Sequence, residues 1–240
     1  MNRLLIFSKV PVSGSVKTRL APPLTYDEAA ALSAAFLLDA VESWSALPGI
    51  DAWLYLAGAD EPEEIERALP ELFRSPLKER ITLRIQSGRD LGERLHAAFE
   101  EAFADGCASA CAIGSDHPTL PSRFIDDAFT ALADSDLAIG PAEDGGYYLL
   151  GLGKLHSGLL VGLPYSSPDL FAAVMEAADV GALEAKVLPL WYDVDDAGSL
   201  ERLRADRGAL PEGSRTAGLL AMLDRRMEAE TIEEEGRDER

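Results

Sequence analysis

Residues 110–118 read Ala110-Cys111-Ala112-Ile113-Gly114-Ser115-Asp116-His117-Pro118, a short apolar run that ends in a carboxylate. Such a run is typical of a buried parallel strand that delivers a side chain to the carboxyl edge of a sheet. The pattern recurs far along the chain in Val187-Leu188-Pro189-Leu190-Trp191-Tyr192-Asp193-Val194-Asp195-Asp196. Two such strands side by side would direct two carboxylates into one crevice. Oxygen ligands of this kind hold a hard cation such as Mg2+ or Mn2+, usually together with phosphates.

Strands and helices alternate along the rest of the chain. The Thr25-Tyr26-Asp27-Glu28 capping box predicts the start of a helix with apolar residues every fourth position. The alternation predicts one α/β domain, Rossmann-like, with a mixed, mostly parallel sheet of about seven strands and helices on both faces. The predicted strands are Leu4–Phe7, Ala52–Ala57, Ile81–Gln86, Ala110–Gly114, Leu137–Gly140, Tyr147–Leu152 and Ala185–Tyr192.

Length and composition agree with a single large domain. The chain has 240 residues, of which 47% are hydrophobic, so it can bury a substantial core. We expect a domain over residues 1–225, because no Pro- or Ser-rich linker interrupts them. Residues 226–240 form an acidic C-terminal tail, expected to be a frayed helix end or disordered.

The formal net charge of −20 argues against general binding of nucleic acid or of an anionic membrane surface. No apolar run is long enough for a signal peptide or a membrane span, so we expect a soluble, cytoplasmic protein. The sequence allows a homo-oligomer. Cys107 and Cys111 lack a second ligand pair, and the three histidines follow no Ser/His/Asp order, so zinc and hydrolase chemistry are weakly supported.

A basic loop follows the first strand and contains Lys9, Gly14, Lys17 and Arg19. It is not a Walker loop, because the helix-opening second Gly before the Lys-Thr pair is missing. Lys can neutralise phosphates and Arg can grip them with two hydrogen bonds, but a solvated basic loop would have the same composition. We predict that Lys17 and Arg19 contact phosphates, since they are the bases nearest the first crevice position of an acidic protein.

The segment Gln86-Ser87-Gly88-Arg89-Asp90-Leu91-Gly92-Glu93-Arg94 follows the third strand. Gln86 could present its amide to a base edge, and the amides at the start of the next helix could meet an anion or a ribose. The alternative is an ordinary loop in which Asp90 caps the helix and Gly88 serves a turn.

Two adjacent glycines, Gly145 and Gly146, stand between Asp144 and Tyr147. Backbone without Cβ can approach a ligand closely, and the same glycines can equally serve a tight turn into the next strand. In either case we expect Asp144 at the crevice.

Taken in order, these segments resemble the GT-A-type nucleotide-diphospho-sugar transferase superfamily. They are most similar to a bacterial group of proposed glycosyltransferases, some of them labelled radical-SAM-associated transferases. Five ordered motifs are more specific than any one alone. The matching segments are residues 9–20, 86–95, 113–118, 140–151 and 193–195.

The resemblance implies a role for each motif. It implies Mg2+ or Mn2+ at Asp116, with Asp195 as the second ligand and Asp193 as the alternate, and catalytic roles for Asp116, Lys17 and Asp144. It implies nucleotide contacts in the first loop and around Gln86, at Lys9, Gly14, Lys17, Arg19, Gln86, Asp90, Gly92 and Ser115. It implies that the sugar or acceptor is held at Asp144, Gly145, Gly146 and Tyr147.

The two carboxylates of Asp193-Val194-Asp195 alternate as a strand end does, so we expect one to reach the metal and the other to cap the helix near Ala197. The implied function is a metal-dependent transferase, in first place a glycosyltransferase that uses a nucleotide sugar and a small-molecule acceptor. The first loop lacks the Gly-x-Gly-x-Arg and Pro-Lys of sugar nucleotidyltransferases. Nucleotidyl transfer with pyrophosphate release, and nucleotide binding without catalysis, remain the alternatives.

Overall fold

Seven strands form one sheet in the computed structural model, which describes residues 1–74 and 76–238. The strands are β1 (Asn2–Lys9), β2 (Ile50–Ala57), β3 (Ile81–Ile85), β4 (Ser109–Gly114), β5 (Leu137–Pro141), β6 (Tyr147–Leu152) and β7 (Ala185–Val187). Their order across the sheet is β3-β2-β1-β4-β6-β5-β7. Strand β6 runs antiparallel to β4 and β5, and the other neighbours are parallel. The predicted mixed, mostly parallel α/β sheet is confirmed.

Helices cover both faces of this sheet. Apolar residues of α1 and α5 pack on one face, and those of α4 and α6 pack on the other. Helices α7 and α8 pack against the outer side of α1. The helices are α1 (Tyr26–Trp44), α2 (Pro62–Ala68), α3 (Leu77–Arg80), α4 (Leu91–Ala104), α5 (Arg123–Ala131), α6 (Leu170–Val180), α7 (Ala197–Ala205) and α8 (Arg215–Asp238).

The central strands are apolar on both sides because both sides are covered. In β1, Leu4 and Ile6 belong to one core cluster while Leu5 and Phe7 belong to the other. This is the two-residue alternation of a strand between two helical layers. The first helix begins as predicted: the Glu28 N–H donates to Thr25 Oγ1 at 3.2 Å.

The last strand is shorter than predicted. Strand β7 ends at Val187; after it the Leu188 N–H donates to the Ile139 carbonyl at 2.8 Å, and Trp191 then forms an isolated bridge with Ala142. Pro189 lies between Leu188 and Trp191 and has no N–H to donate to a ladder, which accounts for the interruption. The residues that follow Trp191 have left the ladder and pass beside Asp116, whose carbonyl accepts from the Val194 N–H.

The C-terminal region folds as part of α8, which continues through the expected boundary at residue 225 as far as Asp238. The predicted acidic tail, 226–240, overlaps this helix, and its last two residues lie outside the described residues. The placement of the boundary stays a prediction. Within residues 1–74 and 76–238, no helix combines the length and the apolar character needed to cross a membrane.

Candidate active site

The crevice lies where the order of the strands reverses. From β1 the chain goes to β2 and β3 on one side, then returns to β4 on the other side. Phe7 and Gly114 are register partners, so the loops after β1 and β4 leave the sheet edge together. Ligands of open α/β sheets bind at such a switch point. A cavity of about 560 Å3 opens here, and Lys9, Lys17, Arg19, Gln86, Asp116 and Asp195 are among its lining residues.

Lys17 is the central charge of this cavity. Its side chain is only 4% exposed, and its Nζ lies 2.8 Å from Asp116 Oδ2 and 3.3 Å from Asp195 Oδ1. Its backbone is left-handed, with φ 49° and ψ 33°, a conformation uncommon for residues other than glycine. The structure therefore brings the predicted catalytic lysine into contact with two of the predicted metal ligands.

Hydrogen bonds join the segment after β4 to the segment before α7. The Val194 N–H donates to the Asp116 carbonyl oxygen at 3.0 Å. His117 Nδ1 lies 3.0 Å from the Tyr192 carbonyl oxygen, which can only accept, so Nδ1 carries the proton. Val194 is fully buried. These contacts place Asp195 beside Asp116 although 78 positions separate Val194 from Asp116 in the sequence.

His117 is a residue whose role the sequence did not reveal. Its side chain is buried, and burial lowers the pKa of the imidazole, with smaller opposing effects from the Tyr192 carbonyl and the Asp116 carboxylate. A neutral ring is thus favoured beside the charged site. Its position directly after Asp116 is the one sequence signal that could have pointed to this positioning role.

Asp193 and Asp195 face different surroundings, as the alternation predicts. Asp195 contacts Lys17 and also accepts from Arg19 NH1 at 3.1 Å. Asp193 is half-buried, and its pKa is raised, first by burial and then by the negative charge of Asp144. Asp195, not Asp193, is therefore the carboxylate that shares a cation with Asp116.

The capping role expected for Asp193 or Asp195 belongs to their neighbour. Asp196 accepts from the Ser199 N–H at 2.9 Å and forms the capping box of α7. This hydrogen bond is the largest cause of the lowered pKa of Asp196. The prediction was wrong because α7 begins at Ala197, and the residue just before the first helical position has the geometry to cap.

Gln86 ties the ends of the first three strands together. Its Nε2 donates to the Ser8 carbonyl at 2.9 Å and to the Tyr55 carbonyl at 3.0 Å. Both partners are acceptors, so the amide NH2 must face them. The side-chain carbonyl oxygen of Gln86 is the group that stays available to a base.

The other polar groups near Gln86 have structural partners. Asp90 caps α4 by accepting from the Glu93 N–H at 2.9 Å. Gly92 packs so closely that an added Cβ would lie 2.3 Å from the Leu160 carbonyl oxygen. Ser115 is buried and donates to Ser8 Oγ at 2.8 Å. Their nucleotide contacts, like those of Lys9 and Gly14, remain predictions.

The glycine pair serves a turn that packs on the segment before α6. Gly145 has φ 89°, and an added Cβ would lie 2.0 Å from the Pro168 carbonyl oxygen. The Gly146 N–H donates to Asp144 Oδ1 at 2.9 Å. Asp144 lines a second cavity of about 380 Å3, which shares Arg19 and Asp195 with the first. Asp144 thus lies next to the crevice, while Tyr147 packs against the apolar core, and the substrate contacts of Asp144, Gly145, Gly146 and Tyr147 remain predictions.

The arrangement of the predicted metal ligands decides whether they could hold an ion together. The described residues contain no group of three or more His, Cys, Asp or Glu side chains able to hold a metal ion. Asp116 and Asp195 nevertheless share one cation, and their side chains are 43% and 42% exposed. Mg2+ usually takes one or two carboxylates plus phosphates and waters, so this pair fits the ion, and Asp193 stands apart from it.

Two lining residues, Ser33 on α1 and Ser166, come from parts of the chain that carried no signal for the site. Ser166 lines the larger cavity, in a left-handed conformation with φ 68°, and lies in the segment that follows β6. Arg94 also lines the larger cavity, and it belongs to the segment of residues 86–94 identified from the sequence. Ser166 could not have been found from sequence, because no local pattern marks residues that reach a site only through tertiary packing.

Comparisons with known proteins agree with this fold. A family described as an uncharacterized protein conserved in bacteria, DUF2064, matches residues 40–167. Among curated proteins, none matches this sequence. The solved structure of a proposed nucleotide-diphospho-sugar transferase from Desulfovibrio desulfuricans is 33% identical, with 93% of this chain and 95% of that chain covered and a TM-score of 0.83.

Two further solved structures share the fold at low identity. A cytidylyltransferase from Leptospira borgpetersenii is 13% identical, with 95% of each chain covered and a TM-score of 0.53. A CMP:2-keto-3-deoxy-manno-octonic acid synthetase complexed with CTP is also 13% identical, with 86% of this chain and 98% of that chain covered and a TM-score of 0.52. At this identity the likeness concerns the fold alone.

Proposed function

The chain belongs to the bacterial DUF2064 family and has the nucleotide-diphospho-sugar transferase fold, and on that premise we propose that it is a metal-dependent transferase acting on a nucleotide-activated substrate. The leading form of this proposal is a glycosyltransferase that joins the sugar of a nucleotide sugar to a small-molecule acceptor. The observation that carries the proposal is the contact of Lys17 with Asp116 and Asp195 inside a cavity at the switch point.

The phosphates of the nucleotide are the proposed partners of Lys17 and Arg19. Both cations line the cavity of a protein whose net charge is −20, so their position at the strand edge supports a local anion site. In glycosyl transfer, the acceptor hydroxyl loses its proton and its oxygen bonds to the anomeric carbon, while the bond from that carbon to the phosphate oxygen breaks and the nucleoside diphosphate leaves with the electron pair. Negative charge grows on that oxygen, and fixed cations stabilise it by position and electrostatics.

Asp116 and Asp195 are the proposed ligands of Mg2+ or Mn2+, which when bound neutralises charge on the phosphates. His117 and Val194 position these two carboxylates through their backbone-directed hydrogen bonds. Asp144 and Asp193 lie in the adjoining cavity, which is the proposed place of the acceptor. The same residues would also suit nucleotidyl transfer, because negative charge develops on a phosphate oxygen in that reaction as well.

The proposal is tested by a thermal-shift screen of nucleotides and nucleotide sugars, with and without Mn2+. A ligand at about a hundred times its Kd should add roughly 2.7 kcal/mol to the free energy of unfolding. Product analysis then separates the alternatives: release of a nucleoside diphosphate supports glycosyl transfer, and release of pyrophosphate from a nucleoside triphosphate supports nucleotidyl transfer. Binding with no product across the panel would identify a non-catalytic nucleotide-binding protein.

The metal assignment has its own matched pair of variants. Mn2+ is titrated into wild type, Asp116→Asn and Asp193→Asn, each with a nucleoside diphosphate present. We expect Asp116→Asn to weaken Mn2+ binding and Asp193→Asn to leave it nearly unchanged, because Asp193 does not share the cation of the other two carboxylates. Equal losses in the two variants would show that the ligands are assigned incorrectly.

A further inference from the structure

The cation already present between the two proposed metal ligands is Lys17. Its Nζ contacts Asp116 Oδ2 at 2.8 Å and Asp195 Oδ1 at 3.3 Å, and the side chain is 4% exposed. We propose that the Lys17 ammonium and a divalent cation compete for the Asp116–Asp195 pair, so that the metal binds tightly only when the phosphates of a nucleotide draw the ammonium away. The inference rests on the proposed function and assigns Lys17 a gating role in that site.

Competition follows from the distances. Mg2+ coordinates carboxylate oxygens at about 2.0–2.1 Å, so an ion bound by both carboxylates would occupy the space next to the ammonium. Two positive charges that close together repel strongly, and more so where water is scarce. Ammonium and metal therefore weaken each other's binding to these two carboxylates.

Lys17 can release the carboxylates without refolding its loop. The backbone there is anchored, because Val16 and Leu20 on either side are buried and the Leu20 N–H donates to the Lys17 carbonyl at 2.9 Å. The four-carbon side chain ends in an ammonium with freely rotating donors, and it lines a cavity large enough for phosphates. A phosphate in that cavity offers the ammonium new oxygens in exchange for the carboxylates.

The neighbouring bases do not occupy this position. Arg19 has a side chain that is 68% exposed, and it pairs with the other oxygen of Asp195, Oδ2. Lys9 lines the same cavity, and no described carboxylate lies within ion-pair distance of it. Lys9 is therefore the matched control for Lys17: it carries the same charge in the same cavity without contact to the pair.

The test measures Mn2+ affinity in the absence of any nucleotide, by electron paramagnetic resonance of free Mn2+. We expect Lys17→Met to bind Mn2+ about tenfold more tightly than wild type, within the usual range of coupling between two sites. Lys9→Met should bind like wild type. Lys17→Asn is the second variant, since asparagine tolerates the left-handed backbone and guards against a folding defect, which thermal unfolding monitors. Adding Asp116→Asn to Lys17→Met should abolish the gain.

The reciprocal effect is measured with a nucleoside diphosphate present. Wild type should gain more Mn2+ affinity from the nucleotide than Lys17→Met does, because the variant has no ammonium to remove. The inference is overturned if neither Lys17 variant binds Mn2+ more tightly than wild type and Lys9→Met, or if none of the proteins binds Mn2+. A gain in the Lys17 variants together with no nucleotide binding by wild type would keep the competition and remove the proposed transferase function.

Discussion

The loop after β1 and the loop after β3 both bring polar residues to the same crevice, but they use them differently. Around β3, Asp90 caps its own helix and Gln86 donates to carbonyls of β1 and β2. Around β1, Lys17 reaches Asp195, 178 positions further along the chain. The first set holds the sheet edge together, and the second is held in place by charges that a phosphate or a metal can displace. The charged side chains that we propose to bind the ligand are therefore those of the loop after β1.

The largest expected effect concerns Lys17. In the absence of metal, Lys17→Met should weaken binding of a nucleoside diphosphate by about 3 kcal/mol, the upper range for a hydrogen bond to a charged group. The loss is large because the variant also leaves Asp116 without its cation beside the phosphates, while Asp195 keeps its pair with Arg19. Isothermal titration calorimetry measures this loss.

Arg19→Ala should weaken nucleotide binding by about 1 kcal/mol, since that side chain is mostly exposed. Unchanged affinity in both variants would contradict the predicted phosphate contacts of this loop.

Gln86 tests the structural role proposed for the loop after β3. Gln86→Leu should lower the free energy of unfolding by about 2 kcal/mol, because the Ser8 and Tyr55 carbonyls lose their donor. Urea unfolding monitored by circular dichroism gives the value. A variant with unchanged stability and reduced nucleotide affinity would contradict the structural role and favour direct contact of Gln86 with the base.

Asp90 gives a smaller effect of the same kind. Asp90→Ala should lower the free energy of unfolding by about 1 kcal/mol, the usual value of a helix N-cap. Asp90→Asn is the matched control, because asparagine also caps. If Asp90→Asn kept full stability but reduced nucleotide affinity, the carboxylate would have the ligand contact that the sequence predicts in addition to its cap.

The sequence was sufficient wherever a local pattern determines the outcome. The apolar runs of β1 and β4 and the capping box at Thr25 follow from spacing within a few residues, and all three are present. Strand β7 was predicted too long because its apolar run was given more weight than Pro189, which cannot donate to a ladder. Helix capping by Asp196 shows the same limit, since one position decides which carboxylate caps.

The site itself could be predicted only as a set of residues. Lys17, Asp116 and Asp195 each follow a predicted strand, which predicted that they share one crevice. The structure brings them into contact. That the ammonium would lie between the carboxylates could not be derived, because it depends on the left-handed backbone of Lys17 and on burial by distant segments. The hydrogen-bond partners of Gln86 and the position of Ser166 in the wall of the larger cavity likewise depend on tertiary packing.

The smallest expected effect concerns the hydrogen bond that joins the two carboxylate segments. Burial lowers the pKa of His117 below its ordinary value of 6.5, so the folded state binds this proton less readily than the unfolded state. The contribution of neutral His117 to the free energy of unfolding is therefore complete above about pH 6.5. It declines as the pH falls through that value towards the lower pKa of the folded state. The carboxylates of Asp116 and Asp193 oppose this lowering of the His117 pKa and the Lys17 ammonium adds to it, and burial decides the direction.

His117→Gln isolates that contribution, because the glutamine amide can still donate to the Tyr192 carbonyl but does not titrate. We expect wild type to lose more stability than His117→Gln when the pH is lowered from neutral through 6.5, as measured by urea unfolding at each pH. His96→Gln, on α4, is the control for a histidine that does not join the carboxylate segments. If wild type and His117→Gln declined in parallel, the neutral, buried imidazole would not be what holds Asp116 in register with Asp195.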